Sequence, residues 1–211
     1  MQNYDSFLNF RKSHFGNLAI YNPKIIDEQK EITKEDEVRK YIIVTAKNFI
    51  GKQEIRGNKG FYDPDFEKKM KEVGWLKDQA WCSYFVELIW KLAFSKIKDN
   101  ELLLNRLEKL FSASAVTTYK HFLNESDIEV NKIAKKGSIV IWQNYKTGHA
   151  SWTGHAGIVY DFSDEGIISV EGNTNVDGAR EGYEVCYRNR PYNYYVNHGL
   201  RMLGFIHPNF M

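Results

Sequence analysis

Cysteine is almost missing: Cys82 and Cys186 are the only two in 211 residues. A disulfide scaffold needs more in so little chain, and neither a CxxC pair nor a Cys/His zinc spacing occurs. A single Cys82–Cys186 bridge stays open, since geometry decides it. Four prolines argue against a proline-rich linker architecture. There is no internal repeat, no low-complexity tract and no apolar run long enough to span a bilayer. The opening Met1-Gln2-Asn3-Tyr4-Asp5-Ser6 lacks a basic segment followed by an apolar one, so no signal peptide is expected. The chain is then made in the cytoplasm, and it either works there or leaves by a route this sequence does not encode. A net charge of +2 is too small to imply a nucleic-acid partner, although mild basicity suits an anionic polymer. Nothing calls for a cofactor or a metal.

Apolar residues are plentiful. They make up 43% of the chain, with thirteen Phe, thirteen Tyr and five Trp, which is ample for a packed core and excludes disorder throughout. Residues 1–32 show no sustained period and read as an arm or lead-in, with Asn22-Pro23 marking a turn. Residues 33–211 read as one domain. Thr33 with Asp36 three residues on signals a helix start, and Val38, Tyr41, Ile42, Thr45 and Phe49 recur at helical spacing up to Gly51. A glycine-bearing loop covers residues 53–60, a short helix runs from Asp65 to Val73, and two amphipathic helices fall at 101–111 and 112–123, the latter capped by Ser114. A polar connection, 124–136, leads to a different pattern. From Gly137 the period becomes two. Strands are expected at 138–142, 155–161, 167–171, 183–188 and 201–206, with a long loop after Trp142. Helices followed by an antiparallel sheet make an α+β fold.

Between the second and third of these helices lies Asp78-Gln79-Ala80-Trp81-Cys82-Ser83-Tyr84-Phe85-Val86-Glu87-Leu88-Ile89-Trp90. It is apolar nearly all round, as a buried helix is. Asp78 reads as its N-cap, placing Cys82 about one turn in, where the dipole and unpaired amides favour a thiolate. Cys186, alternating within a strand, reads as structural.

A hairpin turning at Ser163 or Asp164 places His155 opposite Glu171 or Asn173. All three are odd-numbered and share a face, together with Gly157, which leaves room beside the imidazole. An imidazole can take the Cys82 proton, and Glu171 can hold the other ring nitrogen and stabilise the imidazolium. Asn173 can orient the ring or bind substrate. An oxyanion would sit at the Cys82 backbone N–H, with Gln79 or a nearby tyrosine as an extra donor.

These stretches resemble the CHAP domain, a branch of the papain-like NlpC-type cysteine hydrolases and transferases. Residues 46–54 resemble its opening helix and loop; Trp81-Cys82-Ser83-Tyr84-Phe85-Val86 its WCxxFV nucleophile segment; and residues 136–142 its Gly-Asp strand, with Ser138 in place of the aspartate. Gly154-His155-Ala156-Gly157-Ile158-Val159, Glu171-Gly172-Asn173 and residues 203–206 resemble its histidine strand, acidic-x-Asn element and closing strand. The resemblance spans about Ala46 to Pro208. It implies a papain-like fold, with N-terminal helices on a C-terminal antiparallel sheet. It also implies cleavage of an amide bond in bacterial peptidoglycan by an amidase or endopeptidase, with Cys82 as nucleophile, His155 as base, and Glu171 and Asn173 in support. Trp81, His149, Trp152 and Gln79 are expected along the substrate cleft. The calcium loop that some relatives carry before the cysteine is absent. With no leader, the implied route to the cell wall is release as a phage lysin through a holin-type partner, or delivery as an effector with a cognate immunity protein.

Three alternatives stand beside it. An acyltransferase or transglutaminase-like enzyme would use the same Cys-His pair. A non-catalytic wall-binding module would need none of the polar set. A metal site of Cys82, His149 and His155 has no known zinc spacing.

Overall fold

The computed structural model describes residues 33–98, 100–175 and 182–209. The arm expected over residues 1–32 lies outside them. The described chain is mixed α+β, with five helices and a six-stranded antiparallel sheet.

Helix α1, Lys34–Lys47, starts on the capping box its sequence spells. The Asp36 N–H donates to Thr33 Oγ1 at 3.1 Å, while the Asp36 carboxylate accepts from the Thr33 N–H at 3.3 Å. Val38, Ile42 and Ala46, four apart, are its buried stripe. The stretch expected as a loop closes into a small hairpin, β1 (Glu54–Ile55) with β2 (Gly60–Phe61). Helix α2, Pro64–Glu72, has Asp63 as N-cap and Pro64 in its first turn, where a missing N–H costs nothing. The buried helix α3 runs Cys82–Phe94, followed by α4 (Glu101–Leu110) and α5 (Ala115–Leu123), the last capped by Ser114.

The sheet runs β3-β8-β4-β5-β6-β7, with β3 Val130–Asn131, β4 Ile139–Lys146, β5 His149–Phe162, β6 Gly166–Thr174, β7 Glu184–Pro191 and β8 Gly199–Ile206. Alternation along β4 shows how both faces are used. Ile139 and Ile141 join the large core beneath the helices, while Val140 and Trp142 join a second core with Val159, Ile167, Met202 and Phe205. Tyr192 and Tyr194 from the β7–β8 connection, and Leu200 of β8, pack against that second core.

Three expectations change. The loop expected after Trp142 is instead an extended hairpin, because Thr147 and Gly148 both take positive φ (50° and 82°), the geometry of a tight two-residue turn. The polar connection contains β3, which pairs with β8. Strand β7 continues three residues past Arg188 to Pro191.

Candidate active site

Helix α3 begins at Cys82, one turn later than a cap at Asp78 would place it. Asp78 has φ +70° and its carboxylate pairs with Lys59 instead. Trp81 is the N-cap residue and makes no side-chain cap bond. Its backbone N–H donates to Asn173 Oδ1 at 3.0 Å, across 92 residues of sequence. Asn173 sits in the left-handed region (φ +54°), where the β6–β7 register shifts between Glu171 and Thr174, and its amide donates to Gly182 O at 2.8 Å. Asn173 therefore holds the start of the helix that carries Cys82, and its two amide ends are bonded to backbone rather than to the imidazole.

Close approach is built in one residue earlier. A Cβ on Gly172 would lie 2.5 Å from the Trp81 ring and 2.7 Å from Phe85 Cγ, so only glycine lets α3 rest directly on β6. Trp81 itself is fully buried, with Phe61 at 5.1 Å and Phe66 at 5.9 Å between ring centroids and its indole N–H on the Glu54 carboxylate. This corrects its expected place along the cleft: the ring belongs to the core that anchors the helix start.

Strands β5 and β6 pair from Phe162↔Ile167 to Ile158↔Val170. His155 and Glu171 lie beyond that last pair and meet side chain to side chain, His155 Nε2 to Glu171 Oε2 at 2.8 Å. Gly157 makes this possible, since a Cβ there would stand 2.8 Å from Glu171 Cγ. Nε2 is taken by that bond, and the Cys82 side chain lies close enough to the ring to favour its charged form. Cys82 and Cys186 are free thiols, each 7% exposed, so no bridge forms.

Electrostatics favour a charged base. Burial opposes the imidazolium, but the Glu171 carboxylate and the Cys82 sulfur outweigh it and push the His155 pKa up to about 9. Burial likewise acts to raise Glu171, yet hydrogen bonds from Arg190 and the charge of His155 hold its carboxyl well below the usual range. Cys186 goes the other way: burial, with Glu184 and Glu171 nearby, pushes its thiol up to about 12.

Three residues of this site were not singled out in the sequence. Arg190 donates to Glu171 from Nε at 2.9 Å and from Nη2 at 2.6 Å, and Ser169 Oγ donates to Glu171 Oε1 at 2.6 Å. The Trp142 indole lies 5.8 Å from the His155 ring and has the Arg190 guanidinium over it at 5.4 Å, a cation–π contact. Ser169 carried a signal, being two residues from Glu171 on the same strand face. Arg190 carries none, because the apolar alternation predicts a strand that ends at Arg188.

The expected cleft residues divide. Trp152 is 81% exposed where β5 bulges against β4, three residues before His155. Gln79 is half-buried, its Oε1 accepting from Tyr84 OH at 2.8 Å. His149 is exposed at the far end of the hairpin, six residues from His155, or about 20 Å along a strand. That separation removes it from any cluster with Cys82. Among the described residues no group of three His, Cys, Asp or Glu side chains is placed to hold a metal, and no helix is long and apolar enough to cross a membrane.

A sulfur at a helix N-terminus, an imidazole near it and a clamped carboxylate behind the imidazole are the kinds of group that nucleophilic acyl transfer uses. Comparison with protein-family models, curated proteins and solved structures finds no match to this chain.

Proposed function

We propose that the protein is a cysteine-dependent hydrolase of papain-like architecture, resembling CHAP domains, that cleaves an amide bond in bacterial peptidoglycan. The observation that carries this reading is His155, bonded through Nε2 to a buried carboxylate and lying beside the Cys82 side chain. The Cys82 thiolate attacks the amide carbonyl carbon, and the oxyanion that forms meets the first N–H groups of α3, which have no intrahelical acceptor. The His155 imidazolium gives its proton to the departing amine as the C–N bond breaks, leaving a thioester on Cys82. Neutral His155 then takes a proton from water, the hydroxide adds to the thioester carbonyl, and collapse of that intermediate releases the acid and restores the ion pair. Glu171 accepts from the imidazole throughout and holds its orientation. Trp152 offers an exposed ring on which a sugar of the wall can stack.

Peptidoglycan as substrate rests on the sequence resemblance. The protein then acts on the wall after release or delivery, with a holin-type or immunity partner. The test is mass spectrometry of fragments released from purified peptidoglycan. New amine and carboxyl ends with the wild-type protein, and none with Cys82→Ala, are expected. New reducing sugar ends, or fragments from Cys82→Ala, would overturn the proposal. Products joined to an added amine in place of water would instead select the acyltransferase reading.

A further inference from the structure

Glu171 is wholly buried, and a buried carboxylate without compensation takes up a proton. A protonated Glu171 would no longer balance an imidazolium, and the thiolate facing that imidazolium would lose its counter-charge. Two of the four contacts on the carboxylate come from the Arg190 guanidinium, in the side-by-side geometry that only arginine offers. Arg190 is itself held over Trp142, the same indole that lies beside His155.

We propose that Arg190 is a positioning residue for the Cys82–His155 pair: by keeping Glu171 ionised and fixed, it sets how far into acid the thiolate–imidazolium pair survives. The inference rests on reading Cys82 and His155 as nucleophile and base. The titratable groups around Glu171 are His155 on β5, with Cys82 of α3 beyond it, and Arg190 and the neutral thiol of Cys186 on β7. Ser169 adds a hydroxyl without charge. Of these, the Arg190 guanidinium and the His155 ring bond the carboxylate directly. Removing the guanidinium leaves a buried acid whose remaining cation is the imidazolium it must support.

The test measures alkylation of Cys82 by iodoacetamide at about pH 5 and about pH 8, resolved by peptide mapping, in wild type, Arg190→Gln and Arg190→Lys. Arg190→Gln is expected to slow alkylation about tenfold at the lower pH and by no more than about twofold at the higher. Arg190→Lys keeps a positive charge beside Glu171 and is expected to recover most of the low-pH rate. A merely structural arginine would slow both pH values alike, with no rescue by lysine; that result overturns the proposal. If Arg190→Gln does not fold, Arg190→Lys decides alone. A low-to-high pH ratio within about threefold of wild type supports the role of charge, and a collapsed ratio refutes it. No substrate enters this assay, so failure on peptidoglycan would leave it standing. Cys82 in wild type reacting no faster than Cys186 would instead remove the nucleophile reading beneath it.

Discussion

Gly157→Ala tests how tightly the base and its carboxylate are fitted. The added methyl would stand 2.8 Å from Glu171 Cγ, 3.4 Å from Ser169 Cβ and 3.5 Å from Val170 O. Non-bonded carbons rest about 3.5–4.0 Å apart, so one side must give by roughly 0.7–1.2 Å. Glu171 cannot yield cheaply, because His155, Ser169 and both Arg190 donors hold its two oxygens. Overpacking of this kind costs about 1–3 kcal/mol of stability. Displacing the base by about 1 Å costs on the order of a hundredfold in turnover. Urea unfolding reads the first quantity and turnover of purified peptidoglycan the second. A variant with wild-type stability and with turnover within about twofold of wild type would refute the packing argument.

Gly172→Ala should separate α3 from β6, since its methyl meets the Trp81 and Phe85 rings within 2.8 Å; thermal melting should drop by an amount equivalent to about 2 kcal/mol. Cys82→Ala and His155→Ala should each abolish turnover while their circular dichroism stays native. Glu171→Gln should lower turnover by roughly a hundredfold, less than His155→Ala does. Turnover should fall as pH rises through about 9, where the His155 imidazolium loses its proton. The same shift acts on stability. The folded-state pKa lies above the ordinary 6.5, so the contribution is fully present below about 6.5 and is lost as pH rises through about 9. Urea unfolding across that range should show the decline in wild type and not in His155→Ala.

The sequence made legible what rests on local period. Cys82 at the head of a nearly all-apolar helix, and His155 and Glu171 on one face of a short-turned hairpin, follow from spacings of 3.6 and 2. Partners brought from afar were hidden. Asp78 has the residue type of an N-cap, yet Asn173, 92 residues beyond Trp81, supplies the acceptor at the helix start. Trp81 beside a nucleophile reads as cleft wall, but the core beneath α3 extends back to include it. Arg190 stands where Asn189-Arg190-Pro191 gives no apolar alternation, so the period marks a strand shorter than the one that forms. The tip of the β4–β5 hairpin is polar and exposed, and polar strands look like loops to any reading of hydrophobic period.

Relative alkylation of the two cysteines in the native protein probes the central pairing most directly. Both thiols are 7% exposed, so access alone would label them equally. Cys186 is pushed up to about 12 by burial, whereas Cys82 faces a charged imidazole. Near neutral pH, Cys82 should therefore be alkylated well before Cys186, and this preference should vanish in His155→Ala. Equal labelling in wild type, or a preference that survives the loss of His155, would contradict the Cys82–His155 pair.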